Sequence, residues 1–183
     1  MSRVCIFFAP GLEEIEGLTV VDLLRRADIP VRIVSISDTL EVTGAHGIHI
    51  TADACFADTD FSDTEMLVLP GGAPGTCNLN ACEPLKALLK DFYDKGKYIG
   101  AICAAPMVLG HLGFLEGRKA TCYPGFEDLI GAAHVTDDAV VDGHIITSRG
   151  LGTAIEFAAA LIGLLTDKAT AEDIKSVMYT KEK

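Results

Sequence analysis

No stretch of about 18 consecutive apolar residues occurs in the 183-residue chain, so the sequence offers no membrane-spanning helix. Positive charge is scarce: 15 Lys and Arg stand against 26 Asp and Glu, a formal net charge of −11, and basic residues nowhere cluster. Nucleic-acid binding needs such a cluster to neutralise phosphates, so no nucleic-acid partner is expected. Six cysteines are present, but there is no CxxC pair and no Cys/His grouping at zinc-ligand spacing. Small secreted domains use disulfides to offset a poor core, and this chain, 49% hydrophobic, has no such shortage. Reduced thiols and a cytoplasmic location are therefore expected. The opening MSRVCIFFAPGLEE lacks the long apolar core and small-residue cleavage site of a signal peptide, and residues 3–8 read as a buried strand. GxxxxGK[ST] is absent, and the dinucleotide pattern begun at Gly150 and Gly152 fails at Ile155. No metal or organic cofactor is indicated. With no linker, repeat or low-complexity segment, a single domain over 1–183 is predicted.

What is present is an alternation of short β-rich runs with helical stretches. Strands are expected at 3–8, 31–37, 66–69, 98–102 and 119–122, and helices at 13–27, 83–95, 104–112, 153–165 and 169–177. Gly44 and Gly47 suggest a small hairpin within 41–51, and Asp142–Gly143 a second one joining 135–142 to 144–148. Strands separated by helices predict right-handed crossovers and a mostly parallel sheet covered on both faces. Sites in such sheets gather beyond the carboxyl ends of the strands, which draws attention to the turns at 9–16, 70–76 and 103–106.

The third turn is the most telling. An apolar strand, Tyr98 to Ile102, runs into Cys103, followed by Ala104, Ala105 and Pro106 and then a helix. This is the thiol counterpart of a nucleophile elbow, with helix amides placed to favour an anion at sulfur. On context alone the alternative stands that Cys103 is a small buried hydrophobe. The glycines of Leu69-Pro-Gly-Gly could aim N–H groups at an oxyanion, or simply make a turn. Of the acids in Gly11-Leu-Glu-Glu-Ile-Glu, one could face Cys103 as an acid or base, or all could merely complement a helix dipole.

Taken together the segments GLEEIE (11–16), VVDLLRRADI (20–29), LVLPGG (67–72), NLN (78–80), AICAAP (101–106), GHLGFLEGRKAT (110–121) and ITSRGLGT (146–153) resemble the ThiJ/PfpI superfamily, in the branch containing the parkinsonism-associated protein deglycase. The match runs along nearly the whole chain in order. It implies a three-layer α/β/α sandwich, flavodoxin-like and akin to class I glutamine amidotransferases, in a homodimer with the first helix at the interface. It also implies Cys103 as nucleophile, Glu16 as its protonated carboxyl partner, and the Gly72 and Ala104 N–H groups as oxyanion donors. Such a pair would combine a raised carboxyl pKa with a lowered thiol pKa.

Two departures qualify the resemblance. Tyr123 stands where many relatives have histidine near the cysteine, and tyrosine is a poor base near neutral pH. Ala104 stands where the protease branch has histidine, so peptidase activity is not expected. The resemblance puts Arg26, with Asp22, near the interface beside the site, and gives His46 the place of an arginine that reaches an anion across it. On residues alone, Asp22 and Arg26 make a surface pair and His46 is an exposed hairpin residue. Arg149 could line the cleft or anchor its loop. His49, His111, His134 and His144 form no ligand set. The implied activity is conversion of a small α-oxoaldehyde, or of glycated protein, through a thiohemiacetal on Cys103. A redox sensor or stress chaperone built on an oxidisable Cys103 is the alternative. A thiazole-pathway role finds no phosphate-binding feature to support it.

Overall fold

Along β1 (Val4–Phe8) every side chain is buried, but alternate residues go to opposite faces of the sheet. Val4, Ile6 and Phe8 join one apolar cluster; Cys5 and Phe7 join another. The computed structural model describes residues 3–178. In chain order β1 is followed by α1 (Glu14–Arg26), β2 (Val31–Ser35), the hairpin β3 (Glu41–Thr43) and β4 (His49–Thr51), and β5 (Ala54–Cys55). Next come β6 (Met66–Leu69), α2 (Gly75–Ala81), α3 (Glu83–Asp94), β7 (Tyr98–Ile102), α4 (Pro106–His111) and β8 (Lys119–Ala120). The chain continues through α5 (Glu127–Ile130), β9 (Ala133–His134), β10 (Ala139–Asp142), β11 (Ile145–Ser148), α6 (Ala154–Leu165) and α7 (Lys168–Met178).

The main sheet has the order β10-β11-β7-β6-β1-β2-β5, parallel throughout except for the β10–β11 hairpin. Its two faces carry the two clusters. One packs under α1 and α6, with Leu24, Phe157 and Leu161 at its centre; the other lies under α3 and α4, around Leu85, Leu89 and Val108. This is the layered α/β architecture that the alternation of strands and helices predicts. Gly100 on β7 leaves room for Phe157, whose ring would lie 3.0 Å from a Cβ there. Helix α1 has acidic residues in its first turn and Arg25 and Arg26 in its last, each suited to the helix dipole.

Helix α2 was not expected, because Gly75-Thr-Cys-Asn is a poor helix-forming start. It forms because the Gly75 N–H donates to the Gly11 carbonyl at 2.9 Å and the missing Cβ allows it to lie against Leu12. The strand expected over 119–122 shortens to Lys119–Ala120 and pairs with Ala133–His134 outside the main sheet. From β1 the chain moves first to β2 and later to β6 on the other side, so a crevice opens beyond the carboxyl ends of β1 and β6.

Candidate functional site

Cys103 follows β7 with φ +65, one of two described non-glycine residues at positive φ. A side chain held there costs about 1–3 kcal/mol. Two backbone bonds fix it: the Cys103 N–H donates to the Ser148 carbonyl at 2.9 Å, and the Tyr123 N–H donates to the Cys103 carbonyl at 2.8 Å. The sharp turn lifts the thiol off the sheet into the crevice, as the strand-to-helix elbow requires.

Glu16, in the first turn of α1, is 1% exposed. The Gly71 N–H donates to its Oε2 at 2.9 Å, the Leu151 amide donates as well, and its carboxyl is hydrogen-bonded to Cys103. Gly71 is what permits this approach: a Cβ there would lie 2.5 Å from Cys103 Cβ and 2.6 Å from Glu16 Oε2. Gly72, at φ +99, is equally constrained, since its Cβ would strike the backbone of Leu12 and Glu13. The Gly72 and Ala104 N–H groups both face the sulfur.

Burial pushes the Glu16 carboxyl up to about 7, against the opposing hydrogen bonds from Cys103, Gly71 and Leu151. Burial, and then the Glu16 charge, push the Cys103 thiol up to about 12, while the Ala104 and Gly72 amides favour the thiolate. The thiol thus departs from the lowered pKa that the resemblance implies, for a clear reason. A second negative charge beside an ionised, buried carboxylate is the least favourable state of the pair. The two groups share one proton over a wide pH range. With that proton on Glu16 the repulsion disappears, the carboxyl donates to sulfur, and the amides stabilise the thiolate.

The pair opens into a cleft of about 660 Å³. Turns 9–16, 70–76 and 103–106 meet there, joined by 149–153. Tyr123 and Arg149 line the cleft with Cys103, Glu16, Gly72 and Ala104. The Tyr123 ring lies over Gly150, and a Cβ on that glycine would come 3.3 Å from the ring and 3.8 Å from Cys103 Sγ. Arg26 and His46 do not line it. Arg26, at the other end of α1, pairs with Asp22 at 2.7 Å, about 15 Å along the helix from Glu16. His46 is held by the buried Glu14: Nδ1 lies 2.8 Å from Oε2, and its N–H donates to Oε1 at 2.8 Å. Sequence reasoning missed Gly150 and Leu151, and gave the glycine pair at 71–72 an oxyanion role without the bond from the Gly71 N–H to Glu16. Gly71 was legible as half of a glycine pair; Leu151 contributes only an amide, which no side chain announces. Among the described residues, Glu13, Glu14 and His46 are the one grouping with metal-ligand proximity, and both Glu14 oxygens already accept N–H bonds or face the imidazole.

Fold and site together define an α/β domain organised around a thiol at a strand-to-helix elbow, with a buried carboxyl as its partner. The chain belongs to the DJ-1/PfpI family, whose pattern matches residues 2–164. It is 39% identical over 183 residues to protein DJ-1 homolog B of Arabidopsis thaliana, covering 98% of this chain and 42% of that one. The chain thus spans under half the length of that relative. It is 35% identical to glutathione-independent glyoxalase DJR-1.2 of Caenorhabditis elegans, over 84% of this chain and 82% of that one. The structure of oxidised Toxoplasma gondii DJ-1 superimposes with a TM-score of 0.93 at 35% identity, covering 99% of this chain and 100% of that one. No helix among the described residues is long and apolar enough to cross a membrane.

Proposed function

We propose that the chain is a cofactor-independent, cysteine-dependent glyoxalase that acts on small α-oxoaldehydes and, by the same chemistry, on their adducts with protein thiols and amines. The observation that carries this reading is the Cys103 thiol at φ +65, hydrogen-bonded to the buried Glu16 and faced by the Gly72 and Ala104 amides. The glyoxalase name of the nematode relative supports it. The thiolate adds to the aldehyde carbon of methylglyoxal, and the carbonyl electron pair moves to oxygen, held by the two amides. Glu16 delivers its proton to that oxygen, giving a thiohemiacetal. The resulting carboxylate removes the proton from the same carbon, forming an enediolate; the hydroxyl proton of that carbon passes to the neighbouring oxygen, and Glu16 returns its proton to the neighbouring carbon. The product is a lactyl thioester, which water cleaves to lactate and the free thiol. The sum is methylglyoxal plus water to lactate and a proton. Lactate formation without added glutathione is expected for the wild type and is lost in Cys103→Ala; turnover surviving that change overturns the reading.

A second reading rests on the same three donors around sulfur. Two peroxide molecules in turn would convert the thiolate to sulfenate and then sulfinate, releasing two waters, with Glu16 and the amides holding the new oxygens. The protein would then be a redox-responsive stress protein. Client protection that appears only after peroxide favours this reading; aldehyde turnover under reducing conditions favours the first. A homodimer through α1 fits the exposed Ile15 and Leu18 on one face of that helix, in line with Asp22. Sedimentation at micromolar concentration tests it, with Leu18→Lys expected to shift the protein to monomer.

A further inference from the structure

The cleft is much larger than the proposed reaction with a three-carbon aldehyde needs. About 660 Å³ lies in the range that holds drug-sized ligands. Away from the sulfur its lining is apolar and aromatic, with Tyr123, Pro124, Phe126 and Leu151 contributing, and Tyr123 and Leu151 about half exposed. Arg149 is the one cation in this lining.

Arg149 differs from the other arginines in lying in the cleft without an ion partner. Arg3, Arg25, Arg26 and Arg118 are ion-paired with Glu65, Asp53, Asp22 and Asp142, and Arg32, whose charge acts on Asp60, lies outside the cleft lining. Among the described residues the Arg149 guanidinium makes no hydrogen bond or ion pair. Glu127 feels its charge only at longer range and is occupied by amides, including the Gly125 N–H at 2.7 Å. An acidic protein has no shortage of carboxylates to neutralise a cation, and this one is left with its donors unused inside a cleft. Of the two acids in the lining, Glu16 is set beside the sulfur, and the Glu13 carboxylate lies 3.8 Å from the His46 imidazole. A planar guanidinium with free N–H groups suits bidentate recognition of a carboxylate or phosphate. The amino end of α6 begins just past Thr153, also in the lining, and adds positive potential on the same side.

We propose that Arg149 determines specificity by binding the anionic end, carboxylate or phosphate, of an α-oxoaldehyde or its adduct whose aldehyde carbon lies at Cys103 and whose apolar middle rests on Tyr123, Phe126 and Leu151. This rests on the glyoxalase reading for its reaction but not for its binding geometry. The substrate class is therefore anionic and larger than methylglyoxal. Arg149 here is a binding residue: it adds affinity in the ground state, so its effect falls mainly on KM.

Two measurements test this. In the first, iodoacetamide alkylation of Cys103 is followed by mass spectrometry with benzoate, phenyl phosphate or neutral benzamide present. The two anions are expected to protect Cys103 in the wild type better than benzamide, and to lose about tenfold in half-protecting concentration in Arg149→Met, with part regained in Arg149→Lys. The anion that protects at the lower concentration identifies the preferred group. Protection equal for anions and benzamide, or equal in wild type and Arg149→Met, overturns the proposal. In the second, initial rates for 4-carboxyphenylglyoxal and phenylglyoxal are compared before arginine modification registers in the intact mass. The ratio of their kcat/KM values should fall about tenfold in Arg149→Met, through KM; an unaltered ratio overturns the proposal. Absence of turnover of either aldehyde by the wild type removes the glyoxalase reading, while the protection measurement still decides the role of Arg149.

Discussion

Glu14 and Glu16 sit two residues apart in the first turn of one helix, are both nearly closed off from solvent, and are driven in opposite directions. Glu14 is 2% exposed and Glu16 is 1% exposed. Burial raises both carboxyls, but at Glu14 it is outweighed by the His46 imidazole and by backbone N–H groups, including those of His46 and Ile48, so that its pKa falls below the ordinary range. At Glu16 the donors are fewer and one of them is a thiol, so burial prevails and the carboxyl rises to about 7. The lesson is that low exposure alone does not set the charge of a carboxyl: Glu16 lies far deeper among protein atoms than Glu14 and has fewer N–H donors. Glu14 is an ionised anchor for the β3–β4 hairpin, and Glu16 a proton carrier for Cys103.

The largest effect should come from removing the proton carrier. Glu16→Gln keeps the shape and the Gly71 bond but cannot exchange a proton, so lactate formation from methylglyoxal should fall by about 10²–10⁴-fold. The same variant tests the raised pKa through stability. A carboxyl whose folded pKa exceeds its unfolded value favours the fold fully below the unfolded value, near 4.5, and loses that contribution as pH rises through about 7. Wild-type stability relative to Glu16→Gln should therefore decline between these limits, by on the order of 3 kcal/mol in chemical denaturation. A difference that stays flat over that range would mean that Glu16 titrates normally and that the contrast with Glu14 is false.

Next in size are two glycines that press on the two acids. A Cβ at Gly71 would push between Cys103 and Glu16, and one at Gly44 would overlap the Glu14 carboxylate. Gly71→Ala should cost at least tenfold in turnover by parting the thiol from its proton source, with overpacking lowering stability by about 1–3 kcal/mol. Gly44→Ala should lower stability by a similar amount, with faster amide exchange across β3 and β4, and a smaller loss of turnover. Equal turnover losses in the two variants would show that the hairpin and the thiol site are not separate.

How much of this contrast could be read from the sequence depends on which partners have side chains. The Cys103 elbow was legible because it needs an apolar strand, small residues and a helix in succession. The opposite roles of two nearby glutamates were not, since the partners of Glu14 are chiefly amides 32 and 34 residues away, and every residue but proline has an amide. The resemblance picked Glu16 as the partner of Cys103, and the structure brings the two together. His46, assigned by the same resemblance to an anion across an interface, spends its Nδ1 on Glu14 within its own chain. The parallel sheet was legible from its buried runs, whereas two-residue strands such as Ala54–Cys55 and Ala133–His134 are too short to carry a pattern.

A smaller effect is expected from neutralising the anchor. In Glu14→Gln one oxygen becomes an NH₂ that faces donors, at a cost of about 1–3 kcal/mol near neutral pH. Because the Glu14 pKa is lowered, its contribution is present above the unfolded value and is lost as pH falls through the folded one. Denaturation midpoints of the wild type and Glu14→Gln should therefore converge in acid, the reverse of the trend for Glu16→Gln.

The smallest change should come from His46→Ala, which removes only the exposed partner of that anchor. The Glu14 side chain raises the His46 pKa, first by its hydrogen bond and then, with Glu13, by charge. A histidine whose folded pKa is raised contributes fully below its unfolded value, near 6.5, and loses that contribution as pH rises through the folded pKa. The wild type should thus be slightly more stable than His46→Ala at mildly acidic pH, with the gap closing on the alkaline side. Glu14 keeps its amide donors in the variant, so the hairpin should stay folded and turnover should change little, since His46 lies outside the cleft lining. A large loss of turnover in His46→Ala would instead place the imidazole in the reaction, and the division between an anchoring and a reacting glutamate would fail at the anchor.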